Sequence, residues 1–272
     1  MKVALNGASG FVASHLKKHF SDYVILDRDD SEQDILNKLQ NVDVVFNLAG
    51  APIMKRWSES YKKTLLSSRI KTTKKLVNAI NQSEVKQLIS TSAIGAYPDD
   101  MAFDESYKGY GDDFLARVTK EWEAEAHKCK KPTAIVRFGV ILGKDGGALA
   151  QMLTPFKLGL GGIIGDGKMM MSWIDVDDLV AMYAFIIEHK LEGLFNATTP
   201  TPLTNYEFTK TLGRVLNRPT FLPLPEFVLQ ALFGEGSTVL TGSKEVYPNA
   251  IISQGFRFKY ETLEESLQHL LR

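Results

Sequence analysis

The fold class of this chain is most clearly indicated near its start, by Val3-Ala4-Leu5-Asn6-Gly7-Ala8-Ser9-Gly10-Phe11-Val12-Ala13. It opens with a short, mostly apolar run that predicts a buried strand, and from Phe11 the apolar residues recur at helical spacing. Gly7 permits a tight turn between the two, Gly10 lets the backbone approach a ligand, and Ala13 lets the helix pack closely on the sheet. The spacing therefore predicts the strand, turn and helix of a Rossmann-type phosphate loop.

The start of this predicted helix has the chemistry to bind a diphosphate. Its first backbone N–H groups have no partner within the helix, and the helix dipole adds partial positive charge there. A plain β–α turn that uses glycine only for its geometry is the alternative, and the flanking strand and helix argue against it. We therefore predict a nicotinamide dinucleotide site that includes Gly7, Ala8, Ser9, Gly10, Phe11 and Val12.

The end of the second predicted strand bears on which dinucleotide is bound. Asp27 and Arg28 follow the apolar run Tyr23–Leu26, about 20 residues after the glycine-rich turn. An acid at this place takes the ribose 2′-hydroxyl of NAD, whereas an arginine pairs with the 2′-phosphate of NADP. We favour NADP, because a guanidinium stacked on adenine serves either cofactor while the aspartate can rotate away. NAD stays open as the alternative.

Strand and helix patterns alternate along the chain with short connections. Alternation of this kind indicates an α/β fold with a Rossmann-type, doubly wound parallel sheet and ligands at the carboxyl ends of its strands. The predicted strands are Val3–Asn6, Tyr23–Leu26, Val42–Phe46, Val85–Ser90, Thr133–Phe138 and Leu194–Asn196. The predicted helices are Phe11–Phe20, Ser31–Leu39, Ser58–Ile80, Asp112–Lys128, Leu179–Glu188 and Thr204–Leu216.

The texture of the sequence changes after Ile141, where glycines crowd the chain as far as Gly167. Such a segment predicts a loop-rich excursion rather than more regular sheet. Two or three short elements are expected after Pro225. We accordingly predict a dinucleotide-binding Rossmann domain of residues 1–145 and 173–200, with a smaller, C-terminal-rich substrate lobe of residues 146–172 and 201–272.

Composition excludes several classes of function. The 272 residues include 32 basic and 32 acidic ones, so no charge excess predicts nucleic-acid binding. One cysteine, Cys129, excludes an internal disulfide and suits a reducing cytosol. No apolar run predicts a membrane span or secretory signal, and no HExxH or CxxC spacing predicts a metal site. We expect a cytoplasmic protein that binds a small molecule, not nucleic acid or membrane.

Several motifs stand in the order found in the extended short-chain dehydrogenase/reductase superfamily. Beyond the glycine-rich turn they are Asn47-Leu48-Ala49-Gly50, Ser90-Thr91-Ser92-Ala93 and Trp173-Ile174-Asp175-Val176-Asp177-Asp178. One atypical subgroup is further marked by Asn47-Leu48-Ala49-Gly50-Ala51-Pro52-Ile53, Arg56-Trp57, Ser68-Arg69, Trp122-Glu123 and Phe156-x-x-Gly159-x-Gly161-Gly162-x-x-Gly165-x-Gly167. The chain resembles the atypical subgroup described as nucleoside-diphosphate-sugar epimerase-like, over nearly its whole length. That description rests on fold and does not by itself establish a reaction.

The resemblance implies roles for individual residues. Further dinucleotide contacts would come from Asn47, Leu48, Ala49, Gly50, Arg69, Ser90 and Thr91. Ser92 would hold the superfamily's serine position beside the nicotinamide. The substrate cleft would be lined by Arg56, Trp57 and Trp173, because arginine suits a diphosphate or carboxylate and tryptophan offers a stacking face. A buried tryptophan with solvated arginines is the alternative, and a homodimer is implied by analogy alone.

The superfamily's Tyr-x-x-x-Lys pair is missing from this chain. In the superfamily the tyrosine handles the hydroxyl proton, and the lysine lowers its pKa and holds the ribose. With Trp122-Glu123 as anchor, the two positions hold Leu115 and Thr119, and neither can act as a general base. We therefore assign the catalytic role to Ser92 and to Tyr97 in the following loop, with Tyr110 as a further candidate. A buried aromatic with a tied hydroxyl is the alternative for Tyr97.

Two functions consequently stay open. The first is an NAD(P)-dependent oxidoreductase or epimerase that acts on a small polar substrate or a nucleotide sugar. The second is a catalytically weak dinucleotide-binding protein that reports redox state or stabilises a partner-binding surface. The missing tyrosine and lysine favour the second function, whereas Ser92 and the cleft residues favour the first.

Overall fold

The computed structural model describes all residues, 1–272. Its strands are β1 (Val3–Asn6), β2 (Tyr23–Leu26), β3 (Val44–Asn47), β4 (Gln87–Ala93), β5 (Ala102–Phe103), β6 (Thr133–Phe138), β7 (Val140–Leu142), β8 (Gly162–Ile164), β9 (Met170–Met171), β10 (Trp173–Asp175), β11 (Gly193–Ala197), β12 (Leu203–Thr204), β13 (Leu222–Leu224) and β14 (Glu245–Val246).

The α-helices are α1 (Phe11–His19), α2 (Glu32–Lys38), α3 (Glu59–Asn81), α4 (Phe114–Ala126), α5 (Gly147–Lys157), α6 (Val176–Glu188), α7 (Asn205–Leu216), α8 (Glu226–Phe233), α9 (Thr238–Thr241), α10 (Asn249–Ser253) and α11 (Leu263–Leu271). Two short 3-10 helices lie at Ile94–Ala96 and Gly234–Ser237. None of these helices is both long and apolar enough to cross a membrane.

Six parallel strands form the central sheet, in the order β2-β1-β3-β4-β6-β11. This arrangement confirms the predicted Rossmann-type α/β fold. After β1 the chain runs to β2 on one side and then returns to β3 on the other side of β1. The strand order therefore reverses between β1 and β3, which is where open α/β sheets bind their ligands.

Helices cover both faces of this sheet because alternate residues of its buried strands point to opposite sides. On one face, Leu16 of α1 and Tyr183 of α6 pack against Phe46 and its neighbours. On the other face, Ile35 of α2 and Leu76 of α3 pack against the opposite side of the same strands. The doubly wound sheet thus has an apolar core on each face. These cores fix the strands in place, and the ends of the strands form the site.

The prediction of a loop-rich excursion after Ile141 was wrong for residues 147–157, which form α5. Leu149, Leu153 and Phe156 recur at helical spacing, and all three are buried in a third core cluster with residues of α7 and α11. Glycines gather before this helix because the Phe11 ring occupies the space that a Cβ on Gly143 or Gly146 would need. The glycines therefore serve close packing rather than disorder.

The end of the chain also contains more structure than the two or three short elements expected. After Pro225 the structure has four α-helices, one 3-10 helix and strand β14. Ile251, Phe256 and Phe258 from this region pack into the core beneath the central sheet, whereas Trp173 packs in the third cluster with α5, α7 and α11. Both placements cross the predicted boundary between Rossmann domain and substrate lobe, and the division stays a prediction.

Candidate functional site

The crevice between β1 and β3 is built on a backbone contact at Gly7. This residue has a φ of +90°, and a Cβ there would lie 2.8 Å from Ala49 N and 2.9 Å from the Leu48 carbonyl carbon. Only glycine fits without strain, because both the backbone angle and the neighbouring backbone exclude a side chain. The turn after β1 and the segment after β3 consequently meet at the carboxyl edge of the sheet.

Helix α1 opens directly onto this crevice. Its N-cap residue is Gly10, no side chain caps the helix, and the Phe11 and Val12 N–H groups have no backbone acceptor. Ser9 and Gly10 are exposed, whereas Ala8 and Val12 are buried beneath the turn. Free N–H donors at the positive end of a helix form a binding site for an anion. The predicted phosphate loop thus has the geometry that a diphosphate needs.

The end of β2 places a free cation at one end of the crevice. Arg28 is exposed, and its guanidinium makes no hydrogen bond or ion pair within the chain. The Asp27 carboxylate instead accepts a hydrogen bond from Lys38 Nζ at 2.8 Å, and the same amine binds Asp30 at 2.7 Å. Because Lys38 pairs with Asp27 and Asp30, neither carboxylate engages Arg28, which is left as the available partner for an added anion.

A row of buried polar side chains lies under the middle of the crevice. Asn6, Asn47 and Ser90 are in register on β1, β3 and β4. Asn6 Nδ2 donates to Asn47 Oδ1 at 2.9 Å, and Asn47 Nδ2 donates to Ser90 Oγ at 3.1 Å. Thr73 of α3 accepts a further bond from Asn47 at 2.8 Å and one from Trp122 Nε1 at 2.9 Å. These bonds fix the carboxyl ends of β1 and β3 to the middle of β4, and connect them to helices α3 and α4.

Arg69 of α3 borders the same crevice at Gly50. Its guanidinium lies 3.0 Å from where a Gly50 Cβ would stand, and it donates to Ala51 O at 3.1 Å and Leu65 O at 3.3 Å. The guanidinium also lies over the Trp122 ring, 5.3 Å from its centroid. Burial lowers the pKa of Arg69 to about 10, and no carboxylate pairs with it.

Ser92, two residues beyond Ser90 on β4, is held in a second buried network that extends to β6. Its hydroxyl donates to Glu123 Oε1 at 2.5 Å, and Arg137 grips the same carboxylate with two hydrogen bonds of 2.8 Å. Tyr110 donates to the other oxygen, Glu123 Oε2, at 2.6 Å. Ser92, Glu123 and Arg137 are each 2% exposed or less, so the centre of this network is buried, whereas Tyr110 is half-buried at its edge.

Electrostatics in this network keep the carboxylate ionised. Burial alone would raise the pKa of Glu123, but the hydrogen bonds and charge of Arg137 hold it below its usual value. Burial and the bond to Glu123 raise the pKa of Tyr110 to about 12. A tyrosine with so high a pKa stays protonated near pH 7 and is a poor base. Near pH 7 the network therefore contains an ionised Glu123 and a protonated Tyr110.

The two positions of the missing catalytic pair are filled by structural contacts. Thr119 is buried, and its hydroxyl donates to the carbonyls of Leu115 and Ala116 within α4. Leu115 packs beside Gly95, and a Cβ added to Gly95 would lie 3.3 Å from the Leu115 Cβ. Neither side chain offers an ionisable group to the crevice.

Tyr97, which the sequence placed in a catalytic role, lies in the core with no exposed surface. Its hydroxyl donates to Asn196 Oδ1 at 3.0 Å, and Arg137 stacks over its ring at 4.7 Å. Burial raises the pKa of Tyr97. This placement matches the alternative of a buried aromatic with its hydroxyl tied to a neighbour.

The residues predicted to line a substrate cleft make contacts of a different kind. Arg56 Nη1 donates to the Ala231 carbonyl at 2.6 Å, and Trp57 Nε1 donates to the Ile53 carbonyl at 2.9 Å. Gly236 packs so closely on the Trp57 indole that a Cβ there would stand 3.0 Å from Nε1. Trp173 has no exposed surface. In this structure Arg56 contacts α8 and Trp57 contacts the 3-10 helix that follows it, so both hold this region against the loop after β3, and Trp173 belongs to a core.

Sequence reasoning used Glu123 only as part of the Trp122-Glu123 motif and assigned no role to Arg137, although these two residues form the centre of the Ser92 network. Two signals were available in the printed sequence. Arg137 is the one charged residue in the strand Thr133–Phe138, and Glu123 lies at helical spacing from Thr119 and Ala126, on the face of α4 that is buried against the sheet. A charge inside a buried strand needs an opposite charge nearby. The register of Ser92 with Arg137 then brings the serine to the same carboxylate.

Comparison with known proteins agrees with this architecture. Residues 3–197 match the model of the NAD dependent epimerase/dehydratase family, and residues 224–270 match a domain of unknown function. An Arabidopsis thaliana protein named epimerase family protein SDR39U1 homolog, chloroplastic, is 37% identical over 100% of this chain and 87% of its own length. An epimerase family protein of Staphylococcus epidermidis is 36% identical over 98% of both chains.

Solved structures extend the likeness to three dimensions. The human epimerase family protein SDR39U1, crystallised with NADPH, has a TM-score of 0.93 to this chain, 31% sequence identity and coverage of 99% of both chains. A nucleoside-diphosphate sugar epimerase from Corynebacterium glutamicum has a TM-score of 0.78 and 29% identity, and its match covers all of this chain but 58% of that protein. The predicted superfamily and the predicted class of cofactor are thereby confirmed. This chain belongs to the NAD dependent epimerase/dehydratase family.

Proposed function

We propose that this protein binds NADPH across the β1–β3 crevice and uses it without the tyrosine–lysine proton transfer of its superfamily. The observation that carries the proposal is the close backbone contact between Gly7 and Ala49. Any side chain at position 7 would clash with the Ala49 backbone. With the uncapped start of α1, this contact leaves a cradle of free N–H groups for a diphosphate. The geometry of this chain itself therefore supports binding of the family's cofactor.

The choice of NADPH over NADH rests on the turn after β2. Arg28 has no partner in the chain, and Lys38 already occupies the Asp27 carboxylate that would otherwise accept a ribose hydroxyl. A guanidinium binds a phosphate through charge-assisted, bidentate hydrogen bonds. The presence of NADPH in the crystal of the human relative supports the same choice.

Binding titrations with the two reduced cofactors test this proposal. Wild-type protein should bind NADPH with saturable affinity and at least about tenfold more tightly than NADH, since one bidentate phosphate contact contributes more than about 1.4 kcal/mol. Arg28→Ala should remove most of that preference by weakening NADPH alone. Arg257→Ala is the matched control, because Arg257 is also exposed and unpaired. Equal affinity for both cofactors in the wild type, or equal losses in Arg28→Ala, would overturn the assignment of NADPH.

The same site favours reduction of a carbonyl over epimerisation of an alcohol. Bound NADPH supplies a hydride to an electron-poor carbon. Oxidation of an alcohol, the first half of an epimerisation at a hydroxyl-bearing carbon, also needs a base for the hydroxyl proton, and Leu115 and Thr119 provide none. Reduction instead creates negative charge on oxygen, which a nearby cation such as Arg69 stabilises while water supplies the proton. The desolvated Arg69 guanidinium thus supports a reductase as the second candidate function.

A deuterium experiment separates the two reactions. Protein with 4-deuterated NADPH and a panel of small aldehydes and ketones should give deuterated alcohols, detected by mass spectrometry. A parallel panel of nucleotide sugars with NAD or NADP should give no epimers. Appearance of epimers, unchanged in Tyr110→Phe and Ser92→Ala, would contradict the argument that a missing base prevents epimerisation.

Three further predictions from the sequence are part of the proposal. We retain a small-molecule substrate, a cytoplasmic location and a homodimer as predictions. Fractionation of the source cells checks the location, and light scattering of the purified protein checks the dimer.

A further inference from the structure

Lys75 is a half-buried cation of α3 that binds the turn after β2. It lies between the exposed Lys74 and the buried Leu76, which belongs to the core between this helix and the sheet. Its amine donates to the Arg28 carbonyl at 3.3 Å and also to the Asp30 carbonyl. These bonds join residues that are 47 and 45 positions apart in the sequence, so the turn is attached to a helix that is itself fixed in the core.

Both bonds from Lys75 hold the backbone of the turn rather than its side chains. The carboxylates of Asp27 and Asp30 pair with Lys38 of α2, and Asp30 N donates to Asp27 O at 3.2 Å. Lys75 forms no ion pair, and its two acceptors are the carbonyl oxygens on either side of Asp29. The turn is therefore held from two helices, through its acidic side chains by one lysine and through its main chain by the other.

A fixed backbone at this place affects the side chain of Arg28. Its guanidinium is exposed and has no partner in the chain. When a ligand binds a side chain on a mobile turn, the turn loses conformational entropy, and this loss weakens binding. Because Lys75 already holds the Arg28 carbonyl in the ligand-free protein, part of that ordering is complete before a ligand arrives. The benefit should be confined to ligands that contact Arg28.

From these contacts we infer that Lys75 is a positioning residue that determines the preference for NADPH over NADH. It acts through Arg28, because its amine fixes the main chain of the turn from which the guanidinium reaches the cofactor's 2′-phosphate. The inference rests on the proposed NADPH site. NADH has no 2′-phosphate, so its binding should not depend on where the Arg28 guanidinium is held.

Titrations of NADPH and NADH into Lys75→Met and Lys75→Arg test this inference. Methionine keeps an unbranched apolar side chain but removes the amine. Lys75→Met should bind NADPH at least about fivefold more weakly, the effect of ordering roughly one residue of the turn, and NADH within about twofold of wild type. Lys75→Arg should recover most of the NADPH affinity, because a guanidinium also donates to carbonyls. Lys74→Met is the matched control, since Lys74 is exposed on the same helix, and it should bind both cofactors as wild type does.

A double variant separates positioning from direct contact with the cofactor. If Lys75 acts through Arg28, adding Lys75→Met to Arg28→Ala should leave the remaining NADPH affinity unchanged within about twofold. A further loss of about fivefold on the Arg28→Ala background would overturn the inference, because two residues that act independently have additive effects.

The NADH titration distinguishes positioning from general support of the fold. Retained NADH binding shows that Lys75→Met is folded, and it is the result that the inference predicts. Equal losses of NADPH and NADH affinity would overturn the inference, since the turn would then support both cofactors alike. Unchanged NADPH affinity in Lys75→Met would overturn it as well. Failure of wild-type protein to bind NADPH, or to prefer it over NADH, would instead refute the proposed function.

Discussion

Gly7→Ala is the substitution that most sharply tests the crevice. At a φ of +90° an alanine is strained, which costs about 1–2 kcal/mol. Its Cβ would also stand 2.8 Å from Ala49 N and 2.9 Å from Ala49 Cα and the Leu48 carbonyl carbon, against an ordinary contact of 3.4–4 Å. All three neighbours are backbone atoms, so the sheet edge itself must move, at a further cost of about 1–3 kcal/mol. We expect a total loss of about 2–5 kcal/mol.

Two other glycines make this magnitude testable. Gly255 has a φ of +93° with nothing within 4 Å of an added Cβ, so Gly255→Ala measures the backbone strain alone. Gly10 has an ordinary φ of −76°, and its added Cβ would approach only the Gly7 carbonyl, at 3.3 Å. Gly10→Ala should therefore leave stability nearly unchanged and weaken NADPH binding, because the backbone can no longer approach the diphosphate.

Urea unfolding and NADPH titration of the three variants provide the assay. In urea, Gly7→Ala should lose more free energy of unfolding than Gly255→Ala. In thermal unfolding, the Tm of Gly7→Ala should lie on the order of 10 °C below that of wild type. Gly7→Ala should also lose measurable NADPH affinity. Gly255→Ala should bind NADPH as the wild type does. Equal stability losses in Gly7→Ala and Gly255→Ala, together with intact NADPH binding in Gly7→Ala, would refute the claim that the contact between Gly7 and Ala49 shapes a cofactor site.

Three further predictions concern buried polar groups. Glu123→Gln should lose about 3 kcal/mol in urea unfolding, since Arg137 keeps its charge without a full partner; a loss below about 1 kcal/mol would contradict the buried ion pair. Tyr97→Phe should lose about 1 kcal/mol, the value of its bond to Asn196, and keep wild-type NADPH affinity; weaker NADPH binding would instead return Tyr97 to the site. Burial raises the pKa of Asp175 to about 6, above its unfolded value of 3.8, so its carboxyl lowers stability by up to about 3 kcal/mol as pH rises from about 4 to about 6. Asp175→Asn should remove that part of the decline, and a pH profile parallel to that of wild type would disprove it.

The first half of the fold could be predicted from local signals. Strand β2 has the predicted bounds Tyr23–Leu26, and α2 begins after Ser31 with the expected side-chain cap. These elements depend on apolar spacing and capping within a few residues, which a single sequence displays directly. The glycine-rich turn likewise carries its own geometry in Gly7 and Gly10.

The polar networks could not be predicted in the same way, because they depend on contacts between distant parts of the chain. Ser92 and Glu123 are 31 residues apart and meet only after α4 has packed on the sheet. Tyr97 and Asn196, 99 residues apart, meet through strand β11. Helix α5 was missed for a related reason, since its neighbouring glycines accommodate Phe11 from the first turn of α1. Each of these contacts follows from strand register and helix docking, which local patterns do not reveal.

Amide hydrogen exchange, measured with and without saturating NADPH, shows whether the cofactor binds at the start of α1. If a diphosphate rests on the free N–H groups at the start of α1, then binding must slow exchange at residues 7–13, and also at residues 47–50 across the crevice. Exchange at the distant, exposed Gly255 should stay unchanged. Saturable NADPH binding that protects other segments and leaves residues 7–13 exchanging at the ligand-free rate would contradict the account.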